Sequence, residues 1–340
     1  MRSFSNTAVV VCGGAGFIGS NFIRYALSKV STAKIVCVDA LTYAGNKENL
    51  KGLPVKRFTF IKGDITDSVR MKRIFAAYKP SHVINFAAET HVDRSIHGGA
   101  EAFVRTNVLG TAVLLDVVRH TPSVKKFVHV STDEVYGSLA LGSKKKFTEQ
   151  SPLAPNSPYA ASKASADLVA RAFFVTYGVP VVITRCSNNY GPYQHPEKFI
   201  PYSIARLMEG KSIAIYGDGK YVRDWIHVED HCSALILALS KGVPGEVYNI
   251  GADNEVDNLT LAKRMLAYFK KDTSMITFVK DRPGHDRRYA IDASKTRREL
   301  GWKPRHTFRT SLPPTIAWYV ENAGWVRRAL ARAGAANIHI

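Results

Sequence analysis

The apolar run Ala8 to Cys12 breaks at once into GGAGFIGSNFIRYAL, where glycines at 13, 16 and 19 open a stretch of helical period. A strand, a glycine turn and a helix in immediate succession leave few architectures open, because the helix must start directly beyond the strand's end. Further apolar runs follow, KIVCVD, FTFIKGD, HVINFAA, KFVHVST and VPVVITR, separated by segments of helical period. Their character is continuous where a half-exposed strand would alternate, which means strands covered on both faces. The expected architecture is therefore α/β: a doubly wound parallel sheet of the Rossmann type over residues 1–189, with strands returning to it around 225–250. After Arg185 the texture turns irregular, in SNNYGPYQHPEKFIP, and residues 190–340 are expected to form mainly a smaller α/β substrate-binding domain. A helix is expected from Leu259 through Lys271, and fraying from Arg332.

Composition narrows the class. With 340 residues, 46% hydrophobic and 22% charged, the chain is an ordinary globular one, neither disordered nor fibrous. Its first residues lack the features of a secretory signal, and no apolar segment is long enough to span a bilayer, so a cytoplasmic, membrane-free protein is expected. Cys12, Cys37, Cys186 and Cys232 are scattered without metal-ligand spacing and read as buried small hydrophobes; no metal is expected. The net charge of +19 comes from dispersed basic residues. No nucleic-acid module accompanies them, so the charge suits a solvated surface and an anionic small-molecule site better than a nucleic acid.

The glycine turn sits where a dinucleotide would need it. Gly13 and Gly16 let the backbone approach a pyrophosphate at the positive helix end, and Gly19 lets the helix pack closely. The second apolar run ends at Asp39, a carboxylate able to take the adenosine ribose hydroxyls and repel a 2′-phosphate, so NAD is favoured over NADP. Asp64, in KGDI, can address the adenine edge or cap the next helix. Downstream, YAASK sets Tyr159 and Lys163 one helical turn apart on a shared face. A nearby ammonium lowers a phenol's pKa, so Tyr159 can serve as a base toward an alcohol while Lys163 holds a nicotinamide ribose. Between these motifs, STDEVYG puts Asp133 and Glu134 side by side at the end of an apolar run. Turn chemistry and acid/base catalysis both fit that pair.

GGAGFIGS, LTYAGN, AAETHVDRSI, STDEVYG, SPYAASKASAD, SNNYGPYQHPEKFIP, RDWIHVEDH and DRPGHDRRYAID together resemble the nucleotide-diphosphoglucose 4,6-dehydratases, within the extended short-chain dehydrogenase/reductases. The resemblance covers nearly the whole chain. It implies a lyase that oxidises a hexose at C4 with bound NAD, eliminates water across C5 and C6, and returns the hydride to C6. Thr132 would bind the sugar, Tyr159 deprotonate its C4 hydroxyl, Glu134 remove the C5 proton and a protonated Asp133 donate to the leaving C6 hydroxyl. Phe17, Ile18, Leu41, Thr42, Ile65, Ala87, Ala88, Thr106 and Asn189 join the glycines, Asp39, Asp64, Tyr159 and Lys163 around the cofactor. Thr90 and Asn188 fall near the sugar; Lys198, Phe199, Arg223, Asn258, Arg282 and His285 fall at the nucleotide diphosphate. Tyr193 and His195 read as structural, and Arg223 is alternatively a partner for Asp224. The implied substrate is a nucleotide-diphosphate sugar, dTDP-glucose first, with UDP-glucose dehydration and 4-epimerase or decarboxylase activity as alternatives. A homodimer is implied as well, through helices around 101–118 and 159–177. Cys12 and Ala40 depart from the family pattern at positions that carry no chemistry.

Overall fold

The computed structural model describes residues 7–334, and every structural statement below concerns them. β1 (Ala8–Cys12) leads through the glycine turn into α1 (Phe17–Lys29), followed by β2 (Lys34–Asp39), β3 (Phe58–Lys62), α2 (Ser68–Tyr78) and β4 (His82–Asn85). Next come α3 (Val92–His97), α4 (Glu101–Phe103), a π-helical segment Val104–Leu109 and α5 (Gly110–Arg119). β5 (Lys126–Thr132) ends in a 3-10 turn, Asp133–Tyr136, and α6 (Pro158–Tyr177), β6 (Val181–Cys186) and β7 (Asn188–Tyr190) follow. The remainder comprises α7 (Phe199–Met208), β8 (Ile213–Tyr216), β9 (Val222–His227), α8 (Val228–Lys241), β10 (Val247–Ile250) and β11 (Glu255–Asp257). It closes with α9 (Asn258–Tyr268), β12 (Ile276–Val279), α10 (Ser294–Leu300), α11 (Phe308–Glu321) and α12 (Ala323–Gly334).

Seven strands form one parallel sheet in the order β10-β6-β5-β4-β1-β2-β3. Its continuous apolar runs have a simple cause. Val9 and Val11 point into a core shared with Phe22 and Ile23 of α1 and Leu235 and Leu239 of α8. Val10 and Cys12 point the other way, toward Met71 of α2, Leu114 and Leu115 of α5 and Ala170 of α6. Both faces of each strand are thus covered, as the run of apolar residues requires. The chain runs outward from β1 to β3 and crosses back to β4, and this reversal opens a crevice beyond the carboxyl ends of β1 and β4.

Residues 225–250 return to this sheet only through β10, which lies beside β6. Trp225 belongs instead to β9, which pairs with β7 and β11 in a separate three-stranded sheet. β8 and β12 make a third, two-stranded sheet. Tyr190, Ile204, Leu261, Met265, Tyr319 and Trp325 pack into one further core between these elements. The helix expected through Lys271 stops at Tyr268, because Lys270 takes a left-handed φ of 53° that cannot continue it. Arg332, expected to fray, is held in α12 by Asn46 Oδ1 at 2.7 Å; the chain after Gly334 lies outside the described residues. All four cysteines are buried free thiols, as expected.

Gly19 is where the turn and α1 are jammed together. A Cβ there would lie 2.3 Å from the Gly13 carbonyl oxygen and 2.8 Å from Gly14 Cα, both backbone atoms that cannot swing away. Gly19→Ala is expected to cost about 1–3 kcal/mol and to weaken NAD binding, read by thermal melting and a dinucleotide titration. An unchanged melt would contradict this packing.

Candidate active site

The loops at the carboxyl ends of the main sheet wall one cavity. The glycine turn and α1 give Gly13, Gly16, Phe17, Ile18 and Gly19, and the segments after β2, β3 and β4 give Asp39, Thr42, Asp64, Ile65, Ala87, Ala88 and Thr90. Thr132, Asp133 and Glu134 come from the end of β5, Tyr159 and Lys163 from α6, and Thr106 from the π-helical segment. Asn188, Asn189 and Lys198 complete the wall from the stretch between β6 and α7. Leu41 and Phe199, expected in it, lie outside. Leu41, at φ 56°, gives its N–H to Asp39 Oδ1 at 2.7 Å and turns its side chain into the core. Phe199 packs into the core around Tyr190.

The first half of the cavity fits a dinucleotide. Gly13 leaves β1 with a φ of 73°, donates to Val38 O at 2.8 Å, and passes so close to β4 that a Cβ would meet Ala87 N at 2.5 Å. Gly16 starts α1 with no capping side chain and no acid in the first turn. A Cβ on Gly16 would meet only the Gly13 oxygen, at 3.4 Å, so its remaining surroundings are open cavity. Uncapped helix amides facing open space are a seat for a pyrophosphate. Asp39 is fixed by Ala15 N–H at 2.9 Å and Leu41 N–H, and presents its carboxylate to the same cavity. Asp64 is not a helix cap: its Oδ1 accepts from the Thr66 N–H and hydroxyl at 2.8 and 2.9 Å, and Asp67 caps α2 by accepting from Arg70 N–H. Asn189 lines the wall with its amide already committed, its Nδ2 donating to Ser187 O and its Oδ1 accepting from His231 Nδ1–H.

The second half carries the ionisable groups. Ser157 caps α6 by accepting from Ala160 N–H at 3.1 Å, and Pro158 sets its first turn, which aims Tyr159 and Lys163 along one face into the cavity. Lys163 donates to Val130 O at 2.7 Å. Burial lowers its pKa, and Asp167, one helical turn on, opposes that fall. The Tyr159 phenol is pushed well above its ordinary value by burial, then by Glu134, Cys186 and Asp133. The lowering by Lys163 expected from the spacing is therefore not met here, because the phenol faces the acid pair while the ammonium is turned to a carbonyl.

Asp133 and Glu134 share the cavity but not the same environment. Asp133 is 1% exposed; its only close side-chain partner is Thr132 Oγ1 at 3.4 Å, and its Oδ2 has none. Burial, then Glu134 and Asp224, push its pKa well up, against Arg223 and the Thr132 hydrogen bond. Glu134 is also raised by burial, but Arg282, Arg223 and Lys198 all pull it back. Adjacent acids held apart in this way divide into a proton holder and a proton acceptor.

Arg223, Asn258, Arg282 and His285 do not line the cavity, although Arg223 and Arg282 stand close enough to Glu134 to lower its pKa. Arg223 is 6% exposed, donates to Asp286 O at 2.9 Å and lies over the Tyr289 ring. It does not pair with Asp224, whose carboxylate accepts from Ala252 and Asn254 N–H instead. Arg282 is bound to Asp93 at 3.2 Å. His285 stacks on Tyr221 at 3.7 Å and meets Asp281 at 2.8 Å, and Asn258 begins α9. His195, read as structural, does line the wall, together with Gln194, Glu197 and Cys186. Burial lowers the His195 pKa to about 4. The only signal for this group was its place in the polar stretch between Asn188 and Lys198.

Sheet order, glycine turn and the Tyr159/Lys163 pair define a short-chain dehydrogenase/reductase of the extended type. Within that class, the chain belongs to the family described as GDP-mannose 4,6-dehydratase, whose sequence model matches residues 10–314. A dTDP-glucose 4,6-dehydratase of Xanthomonas campestris is 49% identical over 339 residues, covering 94% of this chain and 95% of that protein. One from Escherichia coli is 48% identical over 341 residues, with 94% of each chain covered. The solved dTDP-glucose 4,6-dehydratase of Streptomyces venezuelae, with NAD bound, superposes with a TM-score of 0.91 at 47% identity, over 95% of this chain and 100% of that one. A UDP-glucose 4-epimerase of Thermotoga maritima superposes at 0.86 with 30% identity, over 93% of this chain and 100% of that one.

A carboxyl whose folded pKa lies above its ordinary 3.8 keeps its proton where the unfolded chain has lost it. Stability therefore falls as pH rises through that window. Removing the charge removes this penalty. In the NAD-free protein, Asp133→Asn is expected to be more stable at pH 7, on the order of 1 kcal/mol, with the gain shrinking toward acid. Denaturant melts across pH check it, and a destabilised variant at pH 7 would contradict the burial argument.

Proposed function

We propose that the chain converts dTDP-glucose to dTDP-4-keto-6-deoxyglucose by eliminating water across C5 and C6. The observation that carries this reading is the unequal acid pair, Asp133 without a counter-charge in contact and Glu134 facing three cations, in one cavity with Tyr159. The glycine turn, Asp39 and Lys163 would hold NAD, which would supply hydride acceptance at C4 and hydride return at C6. The chain's own groups supply the proton movements. Thr132 hydrogen-bonds the sugar, with Thr90 and Asn188 beside it; Asn188 Oδ1 is buried with no partner and suits a hydroxyl donor. Tyr159 takes the C4 hydroxyl proton as a phenolate, a form that the positive charges of Lys163 and of bound NAD would favour relative to the NAD-free protein. A carbonyl at C4 acidifies the C5 proton, which Glu134 removes, and Asp133 passes its proton to the departing C6 hydroxyl; when C6 is reduced Glu134 returns its proton to C5, and the proton gained by Tyr159 balances the one Asp133 has lost. Lys198, Arg223 and Arg282 suit a diphosphate, since fixed cations beside low-dielectric walls attract anions. Phe199, Asn258 and His285 would serve the same nucleotide diphosphate.

A 4-epimerase needs the tyrosine and the dinucleotide but no water elimination, and the epimerase of Thermotoga maritima shares the fold. The acid pair is what favours dehydration here. Purified protein incubated with dTDP-glucose, and separately with UDP-glucose, without added NAD should lose one water from the thymidine sugar only. Mass analysis reads it. A C4 epimer of unchanged mass would instead promote the epimerase. Glu134→Gln is expected to bind dTDP-glucose normally while product formation falls by about 10²- to 10⁴-fold. Unchanged turnover would overturn its role as the C5 base.

The same reading includes a homodimer. Leu109, Leu168, Val175 and Tyr177 expose apolar surface at 48, 57, 63 and 47% on α6 and the π-helical segment before α5, which supports pairing there. Buried free thiols suit a reducing compartment such as cytoplasm. No helix among the described residues is long and apolar enough to cross a membrane.

A further inference from the structure

We propose that His227, Glu229 and His306, none of which lines the dehydration cavity, hold one zinc-class divalent cation, and that this ion clamps the start of α8 to the loop entering α11. His227 ends β9 and precedes α8, Glu229 lies in the first turn of α8, and His306 stands just before α11. Trp302 brings that loop in, its indole N–H donating to Asp230 O at 3.1 Å and Ser233 Oγ at 2.9 Å. One ligand atom from each of the three residues lies within 4.8 Å of the other two. The imidazole rings are 4.3 Å apart between centroids, and His306 Nε2 is 3.9 Å from Glu229 Oε2.

The donor set is what zinc takes with an open fourth position: two imidazoles and a carboxylate. In a tetrahedron with bonds of about 2.1 Å, ligand atoms sit about 3.4 Å apart. Closing the site thus asks for a small movement, and the Glu229 side chain, 53% exposed, is free to make it.

A second observation points the same way. Asp230 is 2% exposed, and its Oδ2 accepts from Arg305 and His306 N–H at 2.9 and 2.8 Å. Its Oδ1 takes the His306 Nδ1 proton at 2.9 Å. That contact fixes the tautomer whose Nε2 lone pair faces Glu229, the arrangement that orients metal-bound imidazoles. The other imidazole is loosely held, its Nδ1 accepting one long hydrogen bond from Glu229 N–H at 3.4 Å. Glu229 and Asp230 together offset Arg305 and the positive end of α8. A plain ion pair between Asp230 and His306 would explain neither the second imidazole against the first nor the carboxylate aimed at both.

The test uses untagged full-length protein stripped with EDTA, titrated with Zn2+ by calorimetry and analysed for metal after gel filtration. One zinc per chain is expected, with a rise in thermal midpoint that Mg2+ does not reproduce. His306→Gln and Glu229→Gln should each weaken zinc binding at least tenfold while leaving dinucleotide binding unchanged. Glu229 is exposed, so its variant folds even if His306→Gln does not. Absence of bound zinc, or zinc retained equally by both variants, would overturn the site.

Discussion

The close approach of the glycine turn to β4 is the constraint on which the rest of this molecule depends. Gly13 leaves β1 in a left-handed conformation, bonded to Val38 O, with no room for a side chain against Ala87. Because the backbone turns there, α1 can start beyond the sheet with its amides uncapped, and Gly19 can settle onto the turn. The crevice between β1 and β4 stays open for a long, flat anionic ligand. A bulkier turn would push α1 off the sheet, and with it the core that Phe22 and Ile23 share with α8.

The second organising fact is electrostatic. Burial alone would raise both acids of the Asp133-Glu134 pair and leave them alike. What separates them is the placement of cations from distant parts of the chain, Lys198 before α7, Arg223 in β9 and Arg282 after β12, which all lower Glu134 while Arg223 also lowers Asp133. Those cations are in turn fixed from outside the cavity, Arg223 by Asp286 O and the Tyr289 ring, Arg282 by Asp93. The small sheet of β7, β9 and β11 therefore bears on the acid pair through one buried side chain of β9, Arg223.

Much of this was legible in residue order. Strand, glycine turn and helix follow from local patterns, and so do Tyr159 and Lys163 on one helical face, because spacing within a helix is fixed by its geometry. Less legible was what lies beyond neighbours in sequence. Leu41 and Phe199 fall among site motifs but turn into cores, since a single backbone angle or helix face decides where a side chain points. His195 looked structural and lines the cavity. The expected effect of Lys163 on Tyr159 failed for the same reason: the spacing sets their proximity, whereas Val130 O, Glu134 and Asp133 set their potentials.

By itself, then, the amino-acid order determined the parallel sheet, the glycine turn, Asp39 at the end of β2 and the presence of an acid pair after β5. Each depends on periodicity or on contacts within a few residues. Only the tertiary structure decided which groups shift each acid of the pair, that Trp225 leaves the main sheet, and that His227 and His306 come together beside Asp230. Those outcomes are sums over groups far apart in the chain, and electrostatic and packing energies depend on distance in space, which residue order does not contain.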